Sequence, residues 1–270
     1  MTTSRQFFIK LAIIVVFWYV GLSYLPQIIG TCLDGECSYS LSEIIISVAI
    51  PLVFVAMPVV LEMVLYKKGL SQALSDIGIT HFNWAGIRIA AVFLLPLLMF
   101  FPLFSLLAST PLMTRPNWQW LVLSALLTNG LAEETMMRGF VFRHLRDGRS
   151  FWRAAALSTV YFAAYHLVLI FTAGVLFGVI GVMIAIPTGL LTAYLYERGN
   201  NTIWASALLH AVNNTLVYIF VLPTNFQSAA TVLYLVIGLV LSIVIVIWAY
   251  RAHYGRIGLQ ASQTPNMVSA

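Results

Sequence analysis

The sequence predicts an all-α fold: a polytopic transmembrane helical bundle of about eight spans, with both termini cytoplasmic. Three observations predict it. The 270 residues are 61% hydrophobic and only 9% charged, whereas a soluble domain carries about 25% charged residues. Mean hydropathy is +0.93. Apolar runs of about the 20 residues needed to cross a bilayer recur along the chain, separated by short polar loops. In lipid the backbone must satisfy its own hydrogen bonds, so such runs fold as helices.

The first run, residues 7–29, follows Arg5 and includes Lys10. It begins as a signal peptide does, but it is too long and lacks a small-x-small cleavage site before Cys32, so it reads as a retained span. The loop 30–42 carries Asp34 and Glu36, no Lys or Arg, and both cysteines, Cys32 and Cys37. A disulfide between them and a pair of free thiols are both open. Their distance from the apolar interior argues against a cysteine nucleophile or a thiolate metal site. The second run, 44–66, ends at Lys67-Lys68, and the polar, Gly-containing stretch 69–84 suits a short helix at the membrane interface. The third run, 87–107, starts with Arg88 and leads into a loop with two prolines and Arg115.

The fourth run, about 120–145, exits into Arg143, Arg146, Arg149 and Arg153. The fifth covers 154–170. The sixth, 173–196, exits at Glu197-Arg198, and its Gly178, Gly181, Gly189 and Pro187 predict a kinked, closely packed helix. The seventh starts after Asn200-Asn201, read as cap residues, and reaches 222. The eighth covers 229–250 and is followed by Arg251, His253 and Arg256, and 261–270 reads as a disordered tail. The organisation is thus one transmembrane domain over 1–260, with a motif-bearing core at about 118–221. On this topology nearly every Lys and Arg falls on the side of the termini, which makes that side cytoplasmic. The net charge of +5 then follows from membrane orientation and not from nucleic-acid binding.

Against that background, Glu133, Glu134 and Arg138 put two carboxylates and a guanidinium inside an apolar span. Charge at that depth costs several kcal/mol even on mild scales and is usually functional. Glu134 and Arg138 are four apart and can pair on one face. Glu133 is turned about 100° away and must find its partner elsewhere. His166 lies on the fifth span, and His210 and Asn214 share a face of the seventh. At 1.5 Å per residue, Glu133 and His166 each lie about 18 Å from the cytoplasmic ends of their helices, and His210 and Asn214 about 13 and 20 Å from theirs. Four polar groups on three helices therefore fall in one layer near the midplane. Asn213, Ser124, Ser158 and Ser206 read as interhelical bonds or cavity lining.

The nucleophile that fits this set is water. No Gly-x-Ser-x-Gly, His-Glu-x-x-His or Gly-x-Gly-Asp sequence is present, and a Ser206–His210 dyad on one helix would be strained. A poorly solvated carboxylate is an effective base near neutrality, and a neutral His can hold the water or pass its proton. A His with an Asn amide supplies donors for an oxyanion, often worth about 3–4 kcal/mol.

Glu133-Glu134-x-x-x-Arg138, then Phe162-x-x-x-His166, then His210-x-x-x-Asn214 resembles the three-motif signature of the CPBP family. These are intramembrane glutamic endopeptidases related to the type II CAAX prenyl protease, also called the Abi family. The resemblance covers about 118–221. It implies that Glu133 and His166 activate water, that His210 and Asn214 form the oxyanion site, and that Glu134, Arg138 and Phe162 support or line it. It implies a helical bundle around a cavity open to cytosol and lipid. It also implies a peptide or membrane-protein substrate in the bilayer and no metal or other cofactor. The short loops suit a multi-pass prokaryotic membrane protein. Two other readings use the same residues. One is a zinc hydrolase with Glu133, His166 and His210 as ligands. The other is a non-enzymatic immunity or partner-binding protein, of which a proton-coupled transporter is a weaker form because no repeat is evident.

Overall fold

A computed structural model describes residues 10–16, 18, 41–116, 118–172 and 174–254. Most of the first run, the Cys32–Cys37 loop and the 261–270 tail lie outside the described residues, as do both termini. Among the described residues the fold is a bundle of helices with one two-residue strand pair. The helices are α1 (Leu41–Tyr66), α2 (Leu70–Ile77), α3 (Trp84–Leu107), a motif helix over 118–146, α6 (Phe151–His166), α7 (Leu169–Thr172), α8 (Val175–Arg198), α9 (Trp204–Ile219) and α10 (Thr224–Ala249). The motif helix opens as α4 (Trp118–Ala125), continues π-helical through Leu126–Ala132 and Thr135–Phe142, and closes as α5 (Arg143–Arg146).

Among the described residues, five helical stretches are long and apolar enough to cross a membrane: Val48–Tyr66, Trp84–Leu107, Phe151–Phe171, Gly178–Arg198 and Thr224–Ala252. The motif helix and α9 fall short of that standard for a physical reason. They carry the charged and amide side chains of the site, and α9 has only 16 residues.

Small residues bring the central helices together. A Cβ on Gly189 of α8 would lie 2.9 Å from Thr159 Oγ1 of α6, and one on Gly178 would lie 2.7 Å from the Ile170 backbone nitrogen of α7. The predicted close packing of this helix is thus present, and α8 is helical through Pro187. Gly130 of the motif helix is equally tight against α9, where an added Cβ would stand 2.8 Å from Ala207 O. Asn200 and Asn201 are not caps of α9. Both adopt left-handed backbone, φ 60° and 59°, in the turn closing α8. Such a turn suits Asn, whose short side chain tolerates that conformation.

The two ends of the bundle differ. At one end, Glu62 of α1 is fully buried beneath three nitrogen donors. Lys68 Nζ lies 2.9 Å from its Oε2, His144 Nε2 lies 2.7 Å from its Oε1, and Arg143 Nη2 also bonds Oε1. At the same end Arg146 Nε donates to Glu197 Oε2 at 2.8 Å, and Tyr250 packs edge-on against Trp152. At the other end, strand β1 (Met113–Thr114) pairs antiparallel with β2 (Phe220–Val221). The basic clusters of 67–68, 143–153 and 198 thus gather at one end, as the sequence pattern requires.

The amphipathic α2 docks at that basic end. It buries Ala73 and Ile77, and Gly139 of the motif helix lets Ile77 approach so closely that a Cβ would meet its carbonyl oxygen at 2.6 Å. Gly78 then closes the helix in left-handed backbone. Burial alone would raise the Asp76 carboxyl, but hydrogen bonds from Lys68 and Gln72 outweigh it and hold the group below its ordinary value.

Candidate active site

The motif helix, α6 and α9 supply the polar layer. Spacing of four residues does most of the local work, because side chains at i and i+4 meet on one face. Arg138 Nε donates to Glu134 Oε2 at 3.1 Å, and both side chains are fully buried. Asn129 Nδ2 donates to Glu133 Oε1 at 3.0 Å. His166 Nδ1 bonds the Phe162 carbonyl at 2.9 Å. A carbonyl only accepts, so Nδ1 carries the proton and Nε2 keeps its lone pair.

Contacts between helices complete the set. Glu134 Oε1 accepts from His210 Nδ1 at 2.9 Å, so one carboxylate joins Arg138 on its own helix to an imidazole on α9. His210 Nε2 then points toward Glu133, 3.8 Å from Oε2. That oxygen is buried and has no hydrogen-bond partner among the described residues. Arg138 also donates from Nη1 to Ser158 Oγ at 3.3 Å, and its guanidinium lies 5.3 Å from the centre of the Phe162 ring. Phe162 meets both imidazoles edge-on, at 4.8 Å for His166 and 5.6 Å for His210. One aromatic ring therefore fixes three of the site's cationic or titratable groups relative to each other.

A cavity of about 440 Å³ is lined by Glu133, Phe162, His166, His210 and Asn214, together with Asn129, Tyr165, Thr188 and Asn213. All four residues expected to do chemistry share its wall. Glu134 and Arg138 lie behind that wall, buried. Asn213, expected as lining or interhelical glue, lines the cavity, and its contact with another helix is made by its backbone. Its backbone carbonyl accepts from Tyr234 OH at 3.0 Å, and its Nδ2 donates to Asn214 Oδ1 at 3.3 Å. With its oxygen engaged, Asn214 has its own amide nitrogen left as a donor. Ser206 takes no part: its hydroxyl donates to Thr192 O at 2.9 Å. No group of three or more His, Cys, Asp or Glu among the described residues is arranged to share a metal ion.

Three contacts went unforeseen. Asn129 stands four residues before Glu133, the same spacing that signalled the Glu134–Arg138 pair, so it was legible and missed. The bond from His210 to Glu134 and that from Arg138 to Ser158 join different helices, and no spacing rule within one helix could have found them.

Residues 115–216 match the family model described as type II CAAX prenyl endopeptidase Rce1-like. Over that stretch the chain is similar to the CPBP/CAAX protease family, as the motif resemblance implied. No curated protein matches it. The matched segment runs from just before the motif helix into α9, so it contains all three motifs and every polar residue named above on the cavity wall. It leaves out α1–α3 and α10, of which α10 adds Leu235 to the cavity wall.

Proposed function

We propose that this chain is an intramembrane endopeptidase. It hydrolyses peptide bonds of membrane-associated peptides or proteins with an activated water and no covalent intermediate. Glu133 Oε2 takes a proton from the water, whose oxygen bonds to the scissile carbonyl carbon. His166 Nε2 orients that water by accepting its second hydrogen. The carbonyl π electrons move to oxygen, and the oxyanion is held by Asn214 Nδ2 and His210 Nε2. Because His210 Nδ1 already donates to Glu134, its Nε2 can donate only when the ring carries both protons. The proton held by Glu133 then passes to the amide nitrogen, the C–N bond breaks, and a carboxylic acid and an amine leave.

One observation carries this reading. Glu133, His166, His210 and Asn214 come from three helices to one cavity wall, with one Glu133 oxygen tied back and the other without a hydrogen-bond partner among the described residues. The reading includes eight spans, cytoplasmic termini and a multi-pass position in a prokaryotic cell membrane, with the site reached from the cytoplasmic side. The basic end of the bundle supports that orientation.

The test is comparative peptidomics of membranes carrying wild-type protein or the Glu133→Gln variant, followed by assay of the purified proteins with and without a chelator. Cleavage products present only with the wild type, and unaffected by chelation, are expected. A fully active purified Glu133→Gln protein ends the proposal. Loss of activity on chelation, restored by zinc, transfers the same residues to a metal hydrolase.

A further inference from the structure

We propose that Asn129 is a positioning residue for the Glu133 base, a role that rests on the hydrolytic reading above. A carboxylate turns about a broad, two-fold terminal torsion, so its two oxygens are interchangeable unless something distinguishes them. Here something does. Asn129 Nδ2 holds Oε1 at 3.0 Å, while Oε2 has no hydrogen-bond partner among the described residues and lies 3.8 Å from His210 Nε2. The amide fixes which oxygen receives the proton.

The bond is poorly suited to a structural purpose. Donor and acceptor are on the same helix, so it joins no two elements of the bundle. Pairs at this spacing contribute only a few tenths of a kcal/mol to helix stability. Asn129 also lines the cavity itself, where a donor touching the base can act on the reaction. Its neighbour Gly130 makes the placement rigid. The backbone there is pressed against Ala207 O, leaving only 2.8 Å for a Cβ, and α9 carries His210 three residues further on. The amide, the carboxylate and the imidazole it faces are therefore held on two helices in direct backbone contact.

The test uses full-length protein and a quenched-fluorescent peptide spanning a cleavage site recovered from the Glu133-dependent products. Asn129→Leu keeps the volume and removes the donor. It should lower kcat by about 10- to 100-fold, the effect of losing a hydrogen bond to a charged group. KM should stay within about twofold and the thermal midpoint should be unchanged. Asn129→Asp keeps the shape but presents an acceptor, and should be at least as impaired. Asn129→Gln keeps the amide and should recover part of the loss. Isotope-edited infrared spectra of the Glu133 carboxylate give a readout that needs no substrate, and the band should shift in Asn129→Leu. Wild-type kcat in Asn129→Leu, or full activity in Asn129→Asp, overturns the proposal while leaving the protease reading intact. If no cleavage depends on Glu133, both fall, even where the infrared band still reports the contact.

Discussion

Replacing Arg138 with Met tests how this bundle keeps charge at its centre. The methionine fills most of the volume and supplies no donor. Glu134 Oε2 then loses its 3.1 Å partner, Ser158 loses a 3.3 Å contact, and Phe162 loses the cation over its face. What is left is a fully buried carboxylate whose remaining bond comes from His210 Nδ1. Breaking a buried pair from one side costs about 3–5 kcal/mol, because the surviving charge is neither hydrated nor paired. At about 1.4 kcal/mol per decade, that is between two and four decades in the folding constant. Equilibrium unfolding in mixed detergent–SDS micelles measures it. The double variant Glu134→Gln/Arg138→Met leaves no unpaired charge and should recover most of the loss. If Arg138→Met lies within about 1 kcal/mol of wild type, the range of an exposed pair, burial is not what makes this ion pair matter. A double variant no more stable than the single one refutes the pairing argument itself.

Further expectations follow from the same geometry. Asn214→Ala removes one oxyanion donor and should lower kcat by about 10²–10³-fold with little change in folding, as seen by comparing turnover and thermal midpoint; near-normal turnover would take Asn214 out of the chemistry. Gly130→Val must push α9 away from the motif helix, since even a Cβ lies 2.8 Å from Ala207 O. It should therefore abolish cleavage and lower the thermal midpoint together, and a variant that is stable and active would contradict the close approach. Asp76 gives a pH test. Its carboxyl is held below the ordinary value, so its contribution is full above the unfolded value of about 3.9 and is lost as pH falls through the lower folded value. Hydrogen-exchange protection of α2 should drop on acidification through that window in the wild type. In Asp76→Asn it should be low already at neutral pH and flat across the window. Wild-type protection that ignores pH there would argue against the clamp.

Much of the architecture could be read from the chain because lipid imposes one rule: long apolar runs become helices. The runs containing 44–66, 87–107, 154–170, 173–196 and 229–250 all appear as such. Counting residues from the basic ends placed Glu133, His166, His210 and Asn214 in one layer, and the four do line one cavity. What could not be read depends on contacts between helices. Glu134 was assigned to Arg138 alone, yet its second oxygen holds His210, 76 positions away in the chain. Arg143 reads as a marker of orientation, yet it reaches the buried Glu62 of α1, as does His144. The π-helical turns around the acidic motif left no sign in the hydrophobic pattern. The Asn200-Asn201 reading failed because Asn favours two different roles, an N-cap and a left-handed turn, and only the path of the backbone decides between them.

The charge count of the site links its stability to its chemistry. The buried layer holds two carboxylates, Glu133 and Glu134, and one fixed cation, Arg138. With Glu133 and Glu134 ionised, it carries one excess negative charge when His210 is neutral and none when His210 holds two protons. The doubly protonated ring is also the only form in which Nε2 can donate to an oxyanion while Nδ1 remains bound to Glu134. The state that balances the buried charge is therefore the state that the proposed oxyanion site requires. Glu134 accordingly has two tasks, one for each oxygen: it offsets Arg138 on its own helix, and it orients His210 across the helix interface. A Glu134→Gln variant separates these from the role of Glu133. It should leave both Arg138 and His210 without their carboxylate partner, so stability and cleavage should fall together even though no group that touches substrate has been altered.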